Sequence, residues 1–107
     1  MTVRWRQRAL DDAVEAAAYI AGDRPLAAAS WRDWLIEIVE RLSVFPRSGC
    51  MVPEQGKPEL REVIHADFRV IHLVRGEQII VLAIRHARRR LKKRDLQGWI
   101  KEADGEA

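Results

Sequence analysis

The segment that most constrains this chain is QIIVLAIRH, residues 78–86. Its core, Ile79 to Ile84, is a run of apolar residues with no polar face. Such a run suits a β-strand buried on both sides, so it is expected to be the central strand of a sheet. The segment before it, residues 68–75 (FRVIHLVR), is strongly β-forming as well. Gly76-Glu77 separates the two, and glycine at the first central position suits a two-residue type II′ turn. With that turn, paired residue numbers across the hairpin sum to 153, which sets Arg69 opposite Ile84. His86 then falls on the same face, a diagonal neighbour of Arg69 at roughly 7–8 Å.

The remaining elements are read from periodicity. Val3 and Trp5 alternate with Arg4 and Arg6, which predicts a short half-buried strand. Leu10, Ala13, Val14, Ala17, Ile20 and Ala21 follow helical spacing, and Gly22 stops the helix. Pro25 fits the first turn of a second helix, in which Trp31, Trp34, Leu35, Ile38 and Leu42 form one stripe. Pro46 ends that helix. Residues 44–58 hold three of the four prolines and read as a loop. A short strand follows over residues 60–64. Leu91, Leu96, Trp99 and Ile100 predict a C-terminal amphipathic helix within residues 95–107, with the extreme end fraying. The order β-α-α-β-β-β predicts an α+β fold, a helix hairpin packed on one face of a small, mainly antiparallel sheet. The other face is only partly accounted for.

A chain of 107 residues is expected to be a single domain, residues 1–107. No apolar run approaches the roughly 18–20 residues that span a bilayer, so no membrane role is expected. The N-terminus shows no apolar leader, and one cysteine forms no internal disulfide, which together predict a cytoplasmic protein. Cys50 and three scattered histidines lack metal-ligand spacing, so neither metal nor cofactor is expected. His65, His72 and Cys50 read as structural residues. Asp11, Asp12 and Glu15 suit a helix N-terminus better than a catalytic cluster.

Charge is distributed unevenly. Residues 85–94, RHARRRLKKR, carry +7 with His86 neutral, which leaves −4 on the rest of a chain whose net charge is +3. A basic block joined directly to a core strand is held on a scaffold, ready to meet a polyanion or an acidic protein surface.

Several phrases, in order, resemble the RelE/ParE superfamily of type II toxins. They are Ala9-Leu10-Asp11-Asp12, Tyr19-Ile20-Ala21, Phe45-Pro46 with Gly49, and Val52-Pro53-Glu54. Leu60-Arg61-Glu62, Phe68-Arg69-Val70-Ile71 and Ala83-Ile84-Arg85-His86-Ala87-Arg88-Arg89 continue the series. The phrasing is closer to ParE-like members. That resemblance implies a plasmid-stabilisation-type toxin that inhibits growth by poisoning DNA gyrase, without chemistry of its own. It also implies neutralisation by a cognate antitoxin in a hetero-oligomer. Target or nucleic-acid contacts would fall on Arg61, Arg85, Arg89, Arg90, Lys92 and Lys93. Trp31, Trp34 and Trp99 would anchor the antitoxin, aromatic residues being over-represented where interfaces are strongest.

RelE-like members carry a second reading, metal-independent cleavage of mRNA on the ribosome. Arg69 and His86 would then share a phosphate, with His86 in acid/base work and Arg88 stabilising developing charge. This sequence lacks the tyrosine that several such nucleases place near this histidine. Ala87 follows His86, and the one tyrosine is Tyr19. A third reading is an inactive toxin-fold binding module, since fold alone does not give function.

Overall fold

The computed structural model describes residues 1–105. The chain runs β1 (Thr2–Trp5), α1 (Gln7–Ala21), α2 (Pro25–Val44), β2 (Cys50–Met51), β3 (Leu60–His65), β4 (Phe68–Arg75), β5 (Gln78–His86) and α3 (Lys93–Gly105). The strands form one sheet in the order β1-β5-β4-β3-β2. β1 runs parallel to β5, and every other pairing is antiparallel. The α+β architecture expected from the sequence is present, and β5 is an interior strand between β1 and β4. The central place expected for it is taken by β4, because the short β2 extends the sheet on the far side. The short β2 is an addition within the segment read as loop.

Each sheet face has its own core. Under the helix hairpin, Ala9 and Ala16 of α1 and Trp31, Leu35, Ile38 and Val39 of α2 pack on Phe68, Val70, Val81 and Ile84. The small alanines let α1 approach the strands closely. On the opposite face, Leu96, Trp99, Ile100 and Ala103 of α3 cover Ile71, Leu73, Ile80 and Leu82. The sheet is therefore sandwiched, and α3 supplies the cover that the sequence left partly unassigned. Each large aliphatic buried this way contributes roughly 1.5–3 kcal/mol.

The C-terminal end is better held than expected. α3 continues to Gly105, and Arg75 donates from Nε and Nη2 to Asp104 at 2.9 and 3.1 Å. Arg8 reaches Glu102 at 3.1 Å, tying α3 to the start of α1. The last two residues of the expected frayed tail, 106 and 107, lie outside the described residues.

Two turns decide the register. Gly76 has φ 55° while Glu77 keeps a negative φ, and Arg75 pairs with Gln78, as a type II′ hairpin requires. Gly49 leads into β2 with φ 84°, and a Cβ there would sit 2.1 Å from the Glu62 backbone oxygen. Both the left-handed backbone and the close approach of β3 demand glycine. Gly49→Ala should therefore destabilise the fold by at least about 2 kcal/mol, read as a lowered urea midpoint at unchanged m-value.

Candidate functional site

The hairpin that ends in the basic segment is not regular. From Arg75↔Gln78 to His72↔Val81 the pairing follows the expected register. It then shifts, so that Ile71 pairs with Ala83 and Leu82 is the extra residue of a β-bulge. Leu82 and Ala83 consequently both face the α3 core. The shift overturns one expectation. Arg69 lies opposite Arg85, not Ile84, while His86 pairs with Phe68. Arg69 and His86 therefore occupy opposite faces of the sheet and do not converge on one phosphate.

Arg69 is also fully engaged. Its guanidinium donates from Nη1 and Nη2 to the two oxygens of Glu54 at 2.9 and 2.8 Å. From Nε and Nη2 it donates to Glu62 at 2.6 and 3.3 Å. This places one arginine between two forked carboxylate pairings, with side-chain exposures of 5% for Arg69, 9% for Glu54 and 4% for Glu62. The hydrogen bonds from Arg69 pull the Glu54 carboxyl down to about 2 and push the guanidinium further above its ordinary range. Arg69 Nη1 also donates to the Arg89 carbonyl at 3.3 Å, and the Leu91 N–H donates to Glu54 at 2.9 Å. The cluster is thus a clamp that holds the backbone of the basic segment against β3, β4 and the 52–58 loop. Its guanidinium is already matched by carboxylates and offers no spare charge to a phosphorane.

The basic segment divides into inward and outward members. Arg85 ion-pairs with Asp12 and lies over the Trp99 ring, 5.0 Å from its centroid. Asp12 also accepts from the Ile84 N–H at 2.9 Å, capping the edge of β5 where β1 has ended. Arg61 donates to the carbonyls of Gly49 and Pro58 at 3.0 and 3.3 Å and braces the loop. By contrast, Arg88, Arg89, Arg90, Lys92, Lys93 and Arg94 are all exposed. Among the described residues their side chains form no ion pair, so they make a ridge of uncompensated positive charge.

A groove of about 900 Å³ runs beside this ridge, between α1 and the start of α3. Tyr19, Phe68 and His86 line it as a row of rings, with centroids 6.4 Å apart for Tyr19–Phe68 and 5.4 Å for Phe68–His86. His86 Nδ1 accepts weakly from the Arg88 N–H at 3.4 Å. Arg69 belongs to a separate, smaller depression on the other face, with Glu54, Glu62 and Arg88. Among the described residues, no group of three His, Cys, Asp or Glu side chains could hold a metal ion.

The tryptophans are mostly interior. Trp31 is 3% exposed and packs against Phe68, and Trp99 is 8% exposed beneath Arg8 and Arg85. Trp34 is half-buried and stacks on His65, ring centroids 4.2 Å apart. In the isolated chain Trp34 is the one of the three that presents surface.

The comparison with known families is decisive for residues 3–91, which match the model for the ParE toxin of the type II toxin–antitoxin system, parDE. The chain belongs to the ParE toxin family. Among solved structures, this ParE-family chain is similar to a chain from the chromosomal ParDE TA system from P. aeruginosa. The two are 21% identical with a TM-score of 0.65, and the alignment covers 80% of this chain and 95% of that one. That likeness establishes the fold. No curated protein sequence matches the chain.

Sequence reasoning missed the clamp in this ParE-family chain, although one signal was present. Glu62 shares the period-2 face of Leu60 in LREVIH, which aims a carboxylate at the core and requires a buried cationic partner. Glu54, in the loop, carried no comparable signal.

Proposed function

We propose that this chain is the growth-inhibiting partner of a type II toxin–antitoxin pair, acting in the cytoplasm by binding and poisoning DNA gyrase. The observation that carries this reading is the ridge from Arg88 to Arg94, displayed on a family scaffold whose name is that of a toxin. Six exposed side chains without an ion-pair partner among the described residues serve recognition better than stability. The arrangement for cleaving RNA is not assembled, because Arg69 is clamped and His86 faces the other way. A cognate antitoxin would neutralise the toxin by covering the ridge with acidic residues and packing apolar ones near Trp34.

The test is a gyrase supercoiling assay run beside mRNA cleavage on translating ribosomes. Supercoiling should be inhibited, or cleaved DNA complexes should accumulate, with the mRNA left intact. Replacing Arg88, Arg89 and Arg90 together by alanine should weaken inhibition at least about tenfold, as loss of steering and contact charge predicts. Cleavage of mRNA at codon-spaced positions with gyrase unaffected would sink the proposal.

A further inference from the structure

The groove beside the ridge has a composition that target binding by charge alone does not require. We infer that it is a binding site for single-stranded nucleic acid, with phosphates on Arg89, Arg90 and Lys92 and an unstacked base against Tyr19 and His86. This inference does not depend on gyrase being the target.

Three features point to that ligand. The first is the pairing of free cations with aromatic rings, the combination that tracks a flexible phosphate backbone while stacking its bases. Arg89, Arg90 and Lys92 line the same groove as Tyr19, Phe68 and His86. Tyr19 is 73% exposed on α1, an uncommon position for a ring that serves only packing. Phe68, almost buried, backs both Tyr19 and His86 and fixes the spacing of the row.

The second feature is that the cations are badly placed for stability. Lys92, Lys93 and Arg94 stand at the beginning of α3, where the helix dipole disfavours positive charge. Among the described residues no carboxylate pairs with them, and the helix does not reward them, whereas a bound phosphate would.

The third feature selects among polyanions. Glu15 and Asp95 also line the groove, while Asp12 is already committed to Arg85 and the Ile84 N–H. Free carboxylates repel acidic peptides and phosphates alike, but the bases of a nucleic acid carry hydrogen-bond donors that an acidic side chain lacks. Carboxylates accept hydrogen bonds from the exocyclic amino groups of bases, as glutamate and aspartate do toward cytosine. A duplex keeps its bases stacked inside, so it can meet the cations but not the ring row. A single strand can meet both.

The experiment is fluorescence anisotropy with a labelled twelve-nucleotide DNA strand of mixed sequence, the same strand annealed to its complement, and poly-glutamate as competitor. The strand should bind more tightly than the duplex, with a log–log salt slope of about −2 for three phosphate contacts. Arg89→Ala with Arg90→Ala removes two of the three contacts and should reduce that slope by about 1.4. Tyr19→Ala should weaken strand binding about tenfold and leave the slope unchanged. Both variants alter exposed side chains, and an unchanged melting temperature confirms that they fold. The inference is overturned if the strand does not bind, if Tyr19→Ala has no effect, or if poly-glutamate displaces the strand at equal charge concentration. Gyrase inhibition without strand binding rejects this inference alone. Strand binding without gyrase inhibition sustains it and rejects the gyrase reading.

Discussion

Replacing Arg69 by alanine should destabilise the protein by about 3–5 kcal/mol. The substitution strands two buried carboxylates, Glu54 and Glu62, that now share one guanidinium through four hydrogen bonds. A buried charge without a partner is among the most costly defects a core can contain. Urea denaturation followed by tryptophan fluorescence reads the loss directly. A companion variant separates charge from packing: Arg69→Met with Glu54→Gln and Glu62→Leu removes all three charges while keeping an acceptor for the Leu91 N–H. It should recover most of the stability, because apolar replacement of a whole buried ion cluster is often near neutral. A loss below about 1 kcal/mol in the single variant would show that the carboxylates find water or other partners. The prediction also bears on assays of activity. Arg69→Ala releases the Arg89 carbonyl as well, so a silent Arg69→Ala protein reports a displaced ridge before it reports chemistry.

Much of the fold was legible because local signals agreed with one another. The apolar run of β5, the glycine turn at Gly76 and the proline that opens α2 each point to the element observed. Register was not legible. Leu82 is the extra residue, but it sits among Val81, Ala83 and Ile84, all apolar, so no change of period marks the bulge. One unpaired residue was enough to send Arg69 and His86 to opposite faces. The site was half legible for a similar reason. The cationic ridge is contiguous in sequence and was visible at once. The clamp joins residues 54, 62, 69, 89 and 91, and only the folded sheet brings them together. The ring row was hidden in the same way, because Tyr19, Phe68 and His86 lie on three separate elements.

Acid should weaken the fold in two successive windows, each belonging to a different titrating side chain. His72 is fully buried on β4 and is held by a hydrogen bond between Nε2 and the Pro46 carbonyl at 3.2 Å. Burial lowers its pKa from 6.5 to about 4, with the Pro46 carbonyl offsetting part of that and the Arg61 charge adding to it. The unfolded chain therefore takes up a proton near pH 6.5 that the folded chain refuses until about pH 4. Stability is complete above pH 6.5 and falls through that interval by about 3 kcal/mol. Glu54 acts lower. Its pKa falls from 4.5 to about 2 chiefly through the hydrogen bonds from Arg69, so its contribution is intact above pH 4.5 and disappears toward pH 2. That second loss is also about 3 kcal/mol. Urea midpoints measured from pH 7.5 to 2.5 should thus decline in both windows. His72→Asn keeps a donor for Pro46 but has no proton to gain. It should flatten the decline between pH 6.5 and 4 while leaving the lower one unchanged. An equal slope in that variant would reassign the upper window to another group.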